Sequence, residues 1–207
     1  MKKNKLFFSI FFTLLFSSQI YASQAWKSMI LPGWGQNKLG DKDKGKIFLL
    51  SEYIMWTTFI FADNQYSSYR SDYRSHGSHY ADVDWSGKNE LFAAHVGNYN
   101  SLELYNLLIL QSGLLDNYTD EEHPDTSPLH EYYWNWNDNT NERLKYDTWR
   151  NKSENYDKTK NFIVAGMIIN RIISVLDVII TERKNSITSE VTYDYNNTAS
   201  LKIHYNF

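Results

Sequence analysis

The stretch Ser28-Met29-Ile30-Leu31-Pro32-Gly33-Trp34-Gly35-Gln36, followed by the apolar run Ile47 to Ala62, constrains this chain more than any other. Pro32 has a fixed φ and no amide donor, while Gly33 and Gly35 admit backbone angles closed to other residues. The segment therefore reads as a forced corner rather than a linker. Trp34 reads as its large apolar anchor, and Gln36 closes the motif. Gln24 to Leu31 reads as a short amphipathic helix stopped by Pro32. Asn37 to Lys46, polar and holding Gly40 and Gly45, reads as a loop.

Two apolar runs follow from this corner. Ile47 to Ala62 makes roughly 24 Å of helix at about 1.5 Å per residue, short of a hydrocarbon core of about 30 Å. Phe162 to Ile180 makes roughly 28 Å, nearly a bilayer. On the second run Gly166, Asn170, Ser174 and Asp177 fall on one helix face with Arg171 beside it, a small and polar stripe of the kind that pairs helices in apolar surroundings. An unpaired charge is expensive there. Glu52 is the other charge inside an apolar run, and the two runs are therefore expected to pair through Glu52 and Arg171, against the alternative that each side chain reaches solvent at a helix edge.

The corner soon after an export signal, then an apolar helix, resembles an uncharacterised family of bacterial envelope proteins, a domain of unknown function with signal peptides and membrane segments. Gly97-Asn98-Tyr99-Asn100, Tyr132-Tyr133-Trp134-Asn135-Trp136-Asn137, Trp149-Arg150 with Ser153 and Tyr156, and Asn170-Arg171-Ile172-Ile173-Ser174 before Asp177 extend the resemblance over about residues 26–183. It implies location and architecture and attaches no activity.

The N-terminus supports export. Lys2, Lys3 and Lys5 precede the apolar stretch Leu6 to Phe16, and Ile20-Tyr21-Ala22 offers a cleavage site, so residues 1–22 read as a signal peptide with Ser23 the first mature residue. Cleavage removes three lysines and no acid, leaving 18 basic against 24 acidic residues. That balance carries no nucleic-acid footprint. The absence of cysteine excludes disulfides, thiolate metal sites, a thiol nucleophile and a lipoprotein anchor.

Between the apolar runs, Asp63 to Trp85 adds helical turns up to Gly77, Asn89 to Leu115 reads as two helices divided at Gly97, and Asp116 to Leu129 reads as a loop. His76, His79, Asp82 and Asp84 match no ligand spacing, and no metal or cofactor is expected. Tyr132 to Lys160 is rich in rings, amides and guanidinium groups. Trp134, Trp136 and Trp149 with Arg150 form either a glycan-facing platform or packing against other helices. A hydrolase built on Asp138, Glu142 and Asp147 is the remotest alternative, since no Ser-His-Asp order, phosphate loop or metal spacing accompanies them. From Ser186 onward the apolar period changes to two around Asn196-Asn197, which reads as a β-hairpin.

The expected protein is thus mainly α, a helical bundle or membrane-associated helical hairpin with a small C-terminal β-hairpin. Its expected parts are a signal peptide (1–22), a helical domain (23–185) and a hairpin tail (186–207). Its expected place is the bacterial cell envelope, as a non-enzymatic structural or interaction module. A membrane or envelope protein is its expected partner, glycan is the alternative, nucleic acid is excluded, and no oligomeric state is fixed.

Overall fold

The computed structural model describes residues 23–114, 117–193 and 199–205. The signal peptide and the Asn196-Asn197 turn lie outside them. In chain order the elements are α1 (Ala25–Ile30), α2 (Trp34–Lys38), α3 (Lys42–Ala81), α4 (Glu90–Asn98), α5 (Leu102–Gln111), α6 (Thr140–Ser186), β1 (Ile187–Tyr193) and β2 (Ala199–Tyr205). The described residues fall into two compact units, a first within residues 23–58 and 163–205 and a second within residues 59–162.

The expected fold class needs correction at its C-terminal end. The fold is helical: among the described residues the buried core, from Ala25 to Val178, lies in the helices or the loops between them. β1 and β2 run antiparallel, Ile187 opposite Tyr205, and pair with no further strand among the described residues. Two strands alone make a ribbon, not a layer that helices can cover, so no β component belongs in the class.

Two expected breaks also disappear, because glycine serves clearance at both. The loop expected over residues 37–46 is mostly helix: α2 reaches Lys38, and α3 begins at Lys42 with Asp41 Oδ1 accepting from the amide of Lys44 at 3.3 Å. Gly45 lies inside α3, where a Cβ would stand 2.7 Å from the Asn37 side chain. Likewise α3 runs through Gly77 to Ala81, and a Cβ at Gly77 would meet the rings of Trp85 at 3.0 Å and Tyr146 at 3.2 Å. Neither glycine stops its helix.

The second unit is an aromatic core. Asn89 caps α4 by accepting from Phe92, and Ser101 caps α5 by accepting from Leu104, so the chain turns sharply at residues 99–101. There it is held by Trp134–Trp136: Leu102 donates to the carbonyl of Trp134 at 3.1 Å and Trp136 to that of Asn100 at 2.9 Å. Phe92, Tyr105, Trp134, Trp136, Tyr73 and Tyr146 are fully buried. Trp136 Nε1 donates to the Val96 carbonyl at 2.7 Å, the Tyr146 hydroxyl to the Ala93 carbonyl at 2.9 Å, and the Tyr73 hydroxyl to the Glu90 carboxylate at 2.7 Å. Asn137 and Asp138 adopt left-handed angles (φ 49° and 58°), and that turn starts α6.

His76 is buried between Tyr80, Trp136 and Trp149, with Nε2 3.1 Å from the Glu142 carbonyl and 3.0 Å from its carboxylate. Burial holds its pKa below the ordinary 6.5, although Glu142 opposes that shift, with Lys145 and His79 adding to it. The neutral imidazole therefore contributes stability that is fully present above pH 6.5 and lost as the pH falls through the folded value. Denaturant midpoints measured from pH 7.5 down to 5 should decline for the native chain and decline less for His76→Gln. Parallel curves would remove His76 from the account.

Candidate functional site

The best-built polar site lies in the first unit, where the Pro-Gly corner meets α6. Gly33 sits at φ 91°, and a Cβ there would stand 2.2 Å from the Gly45 carbonyl oxygen, so only glycine fits. Its amide donates to Ser174 Oγ at 2.9 Å, and the amide of Gly35 donates to Ser28 Oγ at 2.9 Å. Both hydroxyls then donate to one acceptor, Gln36 Oε1, at 3.0 Å from Ser28 and 3.1 Å from Ser174. Gln36 Nε2 returns two bonds to α6, to the Ser174 carbonyl at 2.8 Å and to Asp177 at 3.1 Å. A primary amide offers two donors and two acceptor positions, and all four are used. Gln36 is buried, and Pro32 with it.

Trp34, expected as the corner's anchor, stands exposed instead, its ring 6.1 Å from that of Trp26. The reason is the left-handed turn at Gly33, which faces Gly35 and Gln36 inward against α6 and leaves the residue between Gly33 and Gly35 outside. The anchor of this corner is the amide, not the indole.

The polar stripe of α6 continues along α3, and the two helices run antiparallel within this unit. Asp177 takes Lys44 at 3.1 Å, Asn170 donates to the Phe48 carbonyl at 3.3 Å and to Glu52 at 3.2 Å, and Met55 Sδ lies 3.3 Å from where a Cβ of Gly166 would be. Between them Arg171 Nη2 donates to Glu52 Oε1 at 2.5 Å. Glu52 is 4% exposed. The sequence places Glu52, Asn170, Arg171, Ser174 and Asp177 at a helix pairing; the structure joins Glu52 to Asn170 and Arg171 and Asp177 to Lys44 across α3 and α6, while Ser174 bonds the corner instead. Sequence reasoning missed the link from Ser28 and Gln36 to Ser174, which spans some 140 positions and leaves no local trace.

The outer surface of this unit is the reverse of an ordinary soluble protein. Ile47, Leu50, Tyr53 and Ile54 of α3, and Ile168, Ile169, Ile173 and Leu176 of α6, are all more than half exposed. Hydroxyls among them turn back to their own helix: Ser51 donates to the Ile47 carbonyl and Thr57 to that of Tyr53, each at 2.8 Å. Over residues 47–58 and 163–180 carbon faces outward, and the few charged and amide groups face inward. Among the described residues one helix, Thr140–Ser186, is long and apolar enough to cross a membrane.

The other candidates lie in the second unit. Trp134 and Trp136 are core residues with no exposed surface, and Trp149 packs against that core edge-on to His76, so these rings form no open platform. Arg150 is clamped by Asp147 at 2.7 Å. It lines a groove of about 400 Å³ with Tyr66, Glu90, Glu154 and Lys158, among others. Each of those charges is answered within the chain: Glu90 by Arg70 at 2.8 Å, Glu154 by Lys158 at 2.7 Å. Asp138 accepts from Asn100, Glu142 faces His76 and Asp147 holds Arg150, so the three acids weighed for hydrolysis serve three separate structural contacts. Among the described residues no group of three His, Asp or Glu is arranged to hold a metal.

Removing one partner of the Glu52–Arg171 pair leaves a charge in apolar surroundings. Because Arg171 retains 30% exposure, the cost of Glu52→Gln should be about 1–3 kcal/mol, below the range for a fully buried pair. The charge swap Glu52→Arg with Arg171→Glu should recover a large part of what each single swap loses. Strictly additive losses in thermal or detergent unfolding would show that the pair is not coupled.

No family model matches the chain, and neither a curated protein nor a solved structure is similar to it.

Proposed function

We propose that this chain is a membrane-associated, non-enzymatic module of the bacterial cell envelope, seated in lipid by its first unit and working through interaction rather than chemistry. The observation that carries this reading is the inverted polarity of that unit, with isoleucine and leucine outside and the Glu52, Arg171 and Gln36 network inside. Water favours the opposite arrangement, and a continuous apolar face of this kind is a binding surface or a lipid surface. Lipid fits both helices best, because the serine and threonine hydroxyls that break up the apolar run of α3 are satisfied by its own carbonyls and ask nothing of the surroundings. The signal-like N-terminus and the resemblance to envelope proteins support export. Partner binding is favoured over catalysis because the groove of the second unit offers no unanswered charge and its indoles are core.

Carbonate extraction of membranes from expressing cells should leave the protein in the pellet, and release into the supernatant would sink the membrane reading. Single cysteines in place of Asp43 and Asn139, in a chain that has none of its own, should label from opposite sides if both apolar runs cross.

A second test separates lipid from water at one position. Ile173 is 51% exposed, and Ile173→Asp at a water-facing site should change stability by less than about 0.5 kcal/mol. Facing hydrocarbon, the same change should cost about 2.5–3.5 kcal/mol and reduce the amount of protein recovered in membranes.

A further inference from the structure

Helix α5 is apolar on both of its sides. Leu102, Tyr105 and Asn106 face the core of the second unit, yet the opposite face is not polar: Leu104, Leu107, Leu108 and Leu110 are all exposed, from 38% to 60%. The i, i+3, i+4 spacing of the first three puts them on one ridge.

The stretch of sequence that carries that ridge is rich in acids. From Asn89 to Glu142 the chain holds ten Asp and Glu and not one Lys or Arg. Four of these acids, Asp120, Glu121, Glu122 and Asp125, belong to a loop fastened to α5 through Asn106. Asn106 donates to the Tyr118 carbonyl and to Asp125 at 2.9 Å, and it accepts from the Tyr118 amide at 2.9 Å. Asp120 closes the loop by accepting from the amides of Glu122, His123 and Glu131, and these hold its carboxyl at about 2, well below the usual range. Glu121 and Glu122 are left exposed there, as is Glu103 on α5 itself.

We propose that the leucine ridge of α5 is a docking site for an amphipathic helix of another protein, one whose apolar stripe is bordered by lysine or arginine. The leucines supply the spaced anchors on which such a helix seats, and the fixed acids supply attraction and exclude acidic competitors. Charge disfavours two other occupants. A second copy would bring two acidic loops together, and an anionic leaflet would meet the same repulsion. This goes beyond the membrane reading and stands whether or not the first unit enters lipid.

The test uses the full-length protein in nanodiscs of zwitterionic lipid and a fluorescein-labelled 14-residue peptide, LKKLLKLLKKLLKL, followed by anisotropy against empty nanodiscs. The native protein should bind it, and the acidic peptide LEELLELLEELLEL should not compete. Leu104→Ser with Leu108→Ser should weaken binding about tenfold or more, a loss of about 1.4 kcal/mol. Glu121→Gln with Glu122→Gln should weaken it and flatten its salt dependence. The leucine changes lie on the surface, and an unchanged far-ultraviolet circular dichroism spectrum verifies the fold. Equal binding by the leucine variant, or by both peptides, overturns the proposal. So does a native dimer in sedimentation that the leucine changes dissociate, which would make a second copy the occupant. Quenching of a bimane at Gln111→Cys by brominated lipid would assign the face to the bilayer and overturn it equally.

Discussion

A buried primary amide with all four hydrogen-bonding positions used admits one arrangement of the groups around it, and the first unit is built on such an amide. Gln36 binds two hydroxyls through its oxygen and two acceptors on α6 through its nitrogen. Those hydroxyls in turn take the amides of Gly33 and Gly35. Leaving any of these groups unpaired inside the protein costs about 1–3 kcal/mol each, so the network forms as a whole or not at all. Glycine at positions 33 and 35 follows from it: at Gly35 a Cβ would stand 2.6 Å from Ser28 Oγ and 2.7 Å from Val178. The Pro-Gly corner is thus less a bend in the chain than the backbone half of a clasp whose other half is α6.

The Glu52–Arg171 pair extends the same logic along the helices. If the first unit sits in lipid as proposed, the hydrophobic effect contributes little to specifying which faces of α3 and α6 meet. Specificity then falls to groups that cannot be left alone there. Asn170 bonds to both the Phe48 carbonyl and Glu52, which links backbone to ion pair and fixes the register of one helix against the other. The second unit solves its problem differently, by burying rings such as Trp136 and Tyr146, whose polar tips end on backbone carbonyls.

What could be read from the sequence follows from how local each cause is. Glu52 and Arg171 were legible as a pair because charges in apolar runs have few affordable partners, and the helical spacing of Asn170, Ser174 and Asp177 marked the face. The division between α4 and α5 near Gly97 was visible in the residue types. The roles of Gly45 and Gly77 were not, because glycine announces a break unless one knows that Asn37 or the rings of Trp85 and Tyr146 lie where a Cβ would go. Trp34 and the Trp134–Trp136 segment misled in opposite directions. An isolated tryptophan in a corner suggests an anchor and is exposed, while a ring-rich polar stretch suggests a binding surface and is core. The alternating C-terminal residues produced backbone pairing, but a two-stranded ribbon does not change a helical class.

The sequence distance between the two halves of this polar seam has a consequence for biosynthesis. Glu52 and Arg171 are 119 positions apart, and Gly33 and Ser174 are 141 apart. At about 5–20 residues per second a ribosome needs about 6–24 s after making the glutamate before it supplies the arginine. Throughout that interval the nascent α3 carries an acid with no counter-ion, and the corner ahead of it carries the Gly33 amide without its Ser174 acceptor. On the proposed membrane reading, entry of the first apolar helix into lipid on its own is therefore disfavoured, and the late arrival of the second helix becomes the step that commits both.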